Sequence, residues 1–112
     1  MNLKLLIAAT LLSLALPAAA DFITTEQAYE VALADLRLPQ SENGTVAFKT
    51  CRKCEYRTER VTVETRWLVN GDSVPLGKFR KAVRRVEDRD SKPVTVLHHV
   101  EQDRITQVSV YL

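Results

Sequence analysis

The only two cysteines, Cys51 and Cys54, stand three residues apart in Thr50-Cys51-Arg52-Lys53-Cys54-Glu55. That spacing serves several chemistries. Residues i and i+3 of a tight turn are close enough for a disulfide, so Arg52-Lys53 reads as a two-residue hairpin loop stapled by Cys51 and Cys54. The same pair can act as a thiol–disulfide exchange centre, where nearby cations such as Arg52, Lys53 and Arg57 would favour the thiolate. Redox enzymes of that kind set the first cysteine at a helix N-terminus, and no helical pattern follows Cys54. A zinc set completed by His98 and His99 is the third option. It is disfavoured because neighbouring residues of a strand point to opposite faces. The expectation is a structural disulfide, with redox exchange as the alternative and no metal or cofactor.

The basic side chains form the second constellation. Net charge is only +2 over 112 residues, but between Lys49 and Lys92 basic residues outnumber acidic ones by 13 to 7. Within that stretch Lys78, Arg80, Lys81, Arg84 and Arg85 surround an apolar stripe of Phe79, Ala82, Val83 and Val86. Together with Arg52 and Lys53 they are the candidate contacts for an anionic envelope component or an acidic protein. Tyr56 and Trp67 lie among Arg57, Arg60 and Arg66, a mixture that can stack nucleic acid. An exported chain of low net charge argues against that use. No phosphate-cradling glycine loop, nucleophile elbow or distinctive carboxylate pair is present. Of the two histidines, His99 is expected to share a face with Leu97 and Val108, while His98 points the other way.

Residues 1–20 carry a basic start at Lys4, an apolar run from Leu5 to Leu16, and small residues through Ala20. This is the three-part pattern of a secretory signal peptide, too short in its apolar core for a span of about 20 residues. The pattern predicts export, to the periplasm or outside the cell, with cleavage after Ala20 and no transmembrane segment in the mature chain. An oxidising destination favours the disulfide. Residues 21–112 then form one small domain, for which a covalent staple is helpful.

The elements that must position these residues are read from periodicity. Thr24 and Gln27 suggest a capping box, and Ala28, Tyr29, Val31, Ala32, Leu33 and Leu36 recur at helical spacing up to Leu38-Pro39. The opening of this expected helix resembles the first helix of PepSY-type exported domains. Val46 to Thr50 reads as a strand, and Arg57 to Val69 as a long one that places Val61, Val63, Trp67 and Val69 on one face. Asn70-Gly71 is a preferred hairpin turn, setting Val69 against Asp72, Trp67 against Val74 and Thr65 against Leu76. Gly77 to Arg89 returns to helical spacing as a basic amphipathic helix. Val94–Val100 and Ile105–Leu112 form a last hairpin around Gln102-Asp103, with Leu97 facing Val108 and Thr95 facing Val110. The resulting order, α-β-β-β-α-β-β, predicts an α+β domain with one antiparallel sheet of four or five strands. The expected function is non-catalytic: a small exported binding or accessory protein that presents a basic surface. The contrasting expectation is a periplasmic thiol–disulfide exchanger using Cys51 and Cys54.

Overall fold

A computed structural model of the chain describes residues 25–112. The expected signal peptide, residues 1–20, and the expected cap at Thr24 lie outside the described residues. The segment expected as the first helix is a strand. β1, Glu26–Ala32, pairs antiparallel along its whole length with β7, Pro93–His99. Its sequence permits this, because Tyr29 and Val31 also fit a period of two, with Val31 buried and Glu26, Ala28 and Glu30 exposed. An isolated short helix is marginal in water, whereas β7 offers every residue of β1 a partner. The likeness to PepSY-type domains lapses with the helix. Only Leu33–Asp35 keeps a helical turn, of the 3-10 kind, before β2, Leu36–Arg37, enters a second sheet.

The strand expected from Arg57 to Val69 is two strands in two sheets. β3, Thr45–Phe48, and β4, Arg57–Arg60, join β2 in a three-stranded sheet of order β2-β3-β4. β5, Arg66–Val69, belongs instead to a five-stranded sheet. Threonine side chains make the corner between them. Thr62 N donates to Thr65 Oγ1 at 3.0 Å, Thr65 N to Thr62 O at 3.0 Å, and the Thr65 hydroxyl to Ile105 O at 2.7 Å. Local side-chain bonds of this kind compete with the ladder, and here they win. Val63 consequently leaves the face it was expected to share. It is 63% exposed, against 1% for Val61 and 4% for Trp67.

The Asn70-Gly71 turn forms as expected, with φ of 51° and 87°. It pairs Val69 with Asp72 and Trp67 with Val74 across β5 and β6, Asp72–Val74. Leu76 does not continue the ladder, since α1, Leu76–Arg84, begins there. α1 is shorter than the expected Gly77–Arg89. It seats Leu76, Phe79 and Val83 in the core, with the Phe79 ring 5.2 Å from that of Trp67. Glu87 and Asp88 follow, charges that a helix C-terminus disfavours, and a 3-10 turn at Arg89–Ser91 leads into β7.

β8, Arg104–Val110, pairs antiparallel with β7 but parallel with β5, so the larger sheet is mixed and has the order β1-β7-β8-β5-β6. The last hairpin is also one residue out of its expected register. Val96 faces Val108 and Val94 faces Val110, with an irregularity between Leu97 and His98 and a positive φ of 50° at Asp103. A one-residue slip exchanges faces. The valines expected on two faces therefore gather on one, and Val94, Val96, Val108 and Val110 are all fully buried. They form one core with Val46 and Phe48 of the smaller sheet and with Val61, which follows β4. The described residues thus hold eight strands in two sheets and one α-helix. This mostly β architecture replaces the expected α+β fold with two helices.

Candidate functional site

Cys51 and Cys54 are joined in a disulfide at the tip between β3 and β4, with Cys54 N donating to Cys51 O at 3.1 Å. Phe48 pairs with Arg57 below the tip, the register that the hairpin reading requires. Cys51, Arg52 and Lys53 are exposed. Arg52 and Lys49 do not face open positive surface, however. They share a groove of about 190 Å³ with Cys51 and the carboxylates Glu30, Asp35 and Asp90, which offsets the local charge. Tyr56 lies beside this hairpin with Arg37 and Lys49 over its ring, at 4.1 and 4.8 Å from the centroid.

Five basic residues of the second constellation sit on or just after α1, and the structure divides them. Lys78, Lys81, Arg84 and Arg85 are exposed and Arg80 is half-buried. Arg80 and Arg84, one helical turn apart, line a cleft of about 240 Å³ together with Arg89 and Gln40. Leu36, Leu38 and Val83 supply its apolar wall. Arg89 was expected on the helix. It stands instead on the following 3-10 turn, from which its guanidinium reaches back to donate to Val83 O at 2.9 Å. Val83 O also accepts from Val86 N at 3.3 Å, and the added bond fixes the Arg89 side chain at the cleft. No ion pair involves Arg80, Arg84 or Arg89 among the described residues. Two of the acids that follow the helix, Asp88 and Asp90, are engaged elsewhere. Asp88 accepts from Ser91 and approaches Lys92, which hold its carboxyl below the usual carboxylate range, and Asp90 lines the other groove.

Arg89 escaped the sequence reading as a site residue because helical spacing placed it one turn beyond Arg85. The acids Glu87, Asp88 and Asp90 were the signal of a break, and a break is what turns Arg89 back toward Arg80 and Arg84.

A third group was not foreseen at all. His98 is 7% exposed, and its Nε2 lies 2.8 Å from Asp103 Oδ1 and 3.3 Å from Glu59 Oε2. Glu59 in turn accepts from Arg57 at 2.8 Å, and Arg57 reaches the Tyr29 hydroxyl at 3.0 Å. The Glu59 bond, strengthened by the one to Tyr29, pushes the Arg57 guanidinium further toward its charged form. The hydrogen bond from His98 likewise holds Asp103 below the usual carboxylate range. The chain of contacts ties β4 of the small sheet to the β7–β8 hairpin of the large one.

Glu59, His98 and Asp103 place three ligand atoms within 4.8 Å of one another, but a metal fits them poorly. With Nε2 on a metal, the ring's proton would sit on Nδ1, which is buried without a hydrogen-bond partner. Metal-bound histidines normally donate that second N–H, and a stranded one costs about 1–3 kcal/mol. Arg57 also already holds one oxygen of Glu59. The group is a hydrogen-bonded latch between sheets. The zinc set weighed from sequence fails too, since the disulfide leaves no thiolate to bind metal. Among the described residues no helix is long and apolar enough to cross a membrane. Compared with protein-family models, with curated proteins and with solved structures, the chain matches none.

Proposed function

We propose that this is a small exported, non-catalytic binding protein whose contact with an anionic envelope component is centred on the cleft of Arg80, Arg84 and Arg89. The observation that carries the reading is that three arginines, without a carboxylate partner among the described residues, line one cleft beside the apolar side chains Leu36, Leu38 and Val83. Like charges one helical turn apart weaken a helix. Keeping Arg80 and Arg84 together has a use where an anion completes the set. Export rests on the signal-peptide pattern of residues 1–20 and agrees with the Cys51–Cys54 disulfide. The exposed Lys78, Lys81 and Arg85 extend positive charge around the cleft and steer an anionic surface toward it. Arg52, offset by the carboxylates of its own groove, and Lys53 stand apart from this cleft at the hairpin tip.

The test is binding to vesicles containing anionic phospholipid at low salt. The unmodified protein is expected to bind, added salt to weaken binding, and reversal of Arg80, Lys81, Arg84 and Arg85 to glutamate to abolish it. A protein that ignores such vesicles at low salt ends the reading.

A second reading, thiol–disulfide exchange, is favoured by the exposure of Cys51 beside Arg52 and Lys53. It predicts a reduction potential near those of known exchangers. A potential well below them leaves the pair a purely structural staple.

A further inference from the structure

Resting on that reading, we infer that the cleft is a site for a phosphate monoester whose organic substituent is apolar. Three features of the cleft select this chemistry. The first is the number and type of its cations. A carboxylate offers two oxygens and one negative charge. A phosphate monoester offers three terminal oxygens and a charge of about −1.5 to −2, a closer match to three guanidinium forks that bind oxyanions two hydrogen bonds at a time. The Gln40 amide stands at the same cleft as a further donor. The second feature is preorganisation. Arg89 is already held by its bond to Val83 O, so less side-chain freedom remains to be lost on binding.

The third feature is the apolar wall. Leu36 and Val83 are 5% and 3% exposed, and Leu38 packs against the same core as a partly buried neighbour. A purely inorganic anion gains nothing from these side chains, whereas the first carbons of an alkyl substituent do. The cleft's volume of about 240 Å³ equals that of about eight waters in the liquid. It holds the phosphate and a few carbons and leaves the rest of any longer chain outside. The phosphate can belong to a membrane lipid headgroup or to a soluble alkyl phosphate, and the experiment separates these sources.

Titration calorimetry at low salt compares inorganic phosphate, mono-n-butyl phosphate and butanoate on the full mature chain, with vesicles containing phosphatidic acid as a parallel arm. Butyl phosphate is expected to bind about fivefold or more tightly than inorganic phosphate, since one buried methylene is already a roughly fourfold gain, and more tightly than butanoate. Arg84→Gln, at an exposed position, should weaken butyl phosphate about tenfold, the scale of one lost charged hydrogen-bonding group. Leu38→Asn should remove the advantage of the butyl group and leave inorganic phosphate nearly unchanged. Equal affinities for inorganic and butyl phosphate, or an Arg84→Gln variant that binds as well as the unmodified protein, overturn the inference. Recruitment to vesicles without any binding of butyl phosphate overturns it too, while the broader anion-binding function stands. Saturable butyl phosphate binding without recruitment to vesicles supports the site with a soluble source and ends the membrane reading.

Discussion

Asp103 is fully exposed to water yet holds its proton less tightly than an ordinary aspartate, first because it accepts from the buried His98 ring and then through the positive charge of His98 and Arg60. Its folded-state pKa is below its unfolded value. The stability it contributes is therefore complete above the unfolded value of ~3.9 and is lost as pH falls through the folded one. Asp88, held down mainly by Ser91, follows the same sign. Asp103→Asn should lower stability at neutral pH, and the gap between it and the unmodified protein should close as pH falls below the usual carboxylate range. Denaturant titrations at several pH values measure that gap. A gap independent of pH would show that Asp103 acts through shape rather than charge. Asp88 remains in the variant, so some acid sensitivity should persist. None of this was legible beforehand, because His98 reaches Asp103 only through the irregularity at Leu97/His98, and a regular two-residue period does not foresee such a step.

At the level of elements, two-residue periodicity and turn chemistry were readable wherever local preference and tertiary context agree. The Asn70-Gly71 hairpin, with its two positive φ values, and the stapled Cys51–Cys54 tip are such places. Reading failed where one segment satisfied two periods. Tyr29, Val31 and Leu33 fit helix and strand alike, and only the distant β7 decides between them. It failed again at Thr62–Thr65, where an apolar alternation runs unbroken through a corner. There the determinant is a hydroxyl rather than hydrophobicity. Thr65 is 6% exposed, and its Oγ1 both donates to Ile105 O and accepts from Thr62 N. Thr65→Val keeps the shape and strands both partners. It should destabilise the protein by about 1–3 kcal/mol, seen as a lower urea midpoint at unchanged slope. Thr65→Ser should cost much less. A valine variant as stable as the original would mean that the corner is set by packing alone.

Across the whole molecule the open question of packing is whether two sheets of such different size unfold as one body. The expected single sheet offered no such question, and its error was instructive. Periodicity yielded five strands where eight are present, because β1 reads as a helix, β2 is too short to show a period, and Arg57–Val69 reads as one strand. The division between sheets depends further on corners and on the parallel β5–β8 pairing, which no local pattern encodes. Phe48, fully buried on β3, touches the issue directly. Its ring lies 5.6 Å from that of Tyr29 of β1, tilted by 45° to it, and beneath Arg57 of β4. Trp67, the single tryptophan, reports from β5 in the other sheet. Phe48→Leu should cost about 1–2 kcal/mol through lost contact and a small cavity. If the shared core and the Glu59–His98–Asp103 latch couple the sheets, Trp67 fluorescence and far-UV circular dichroism will shift together to the same lower denaturant midpoint. A Trp67 transition left at its original midpoint, with circular dichroism split in two, would mean that the small sheet melts separately. Coupling matters for the cleft as well. Leu36 reaches it from β2, Arg80 and Arg84 from α1 and Arg89 from the 3-10 turn that follows, so an independently melting small sheet would carry away part of the apolar wall while leaving the three arginines in place. In that case the Phe48 variant would bind inorganic phosphate normally and lose its preference for the butyl ester.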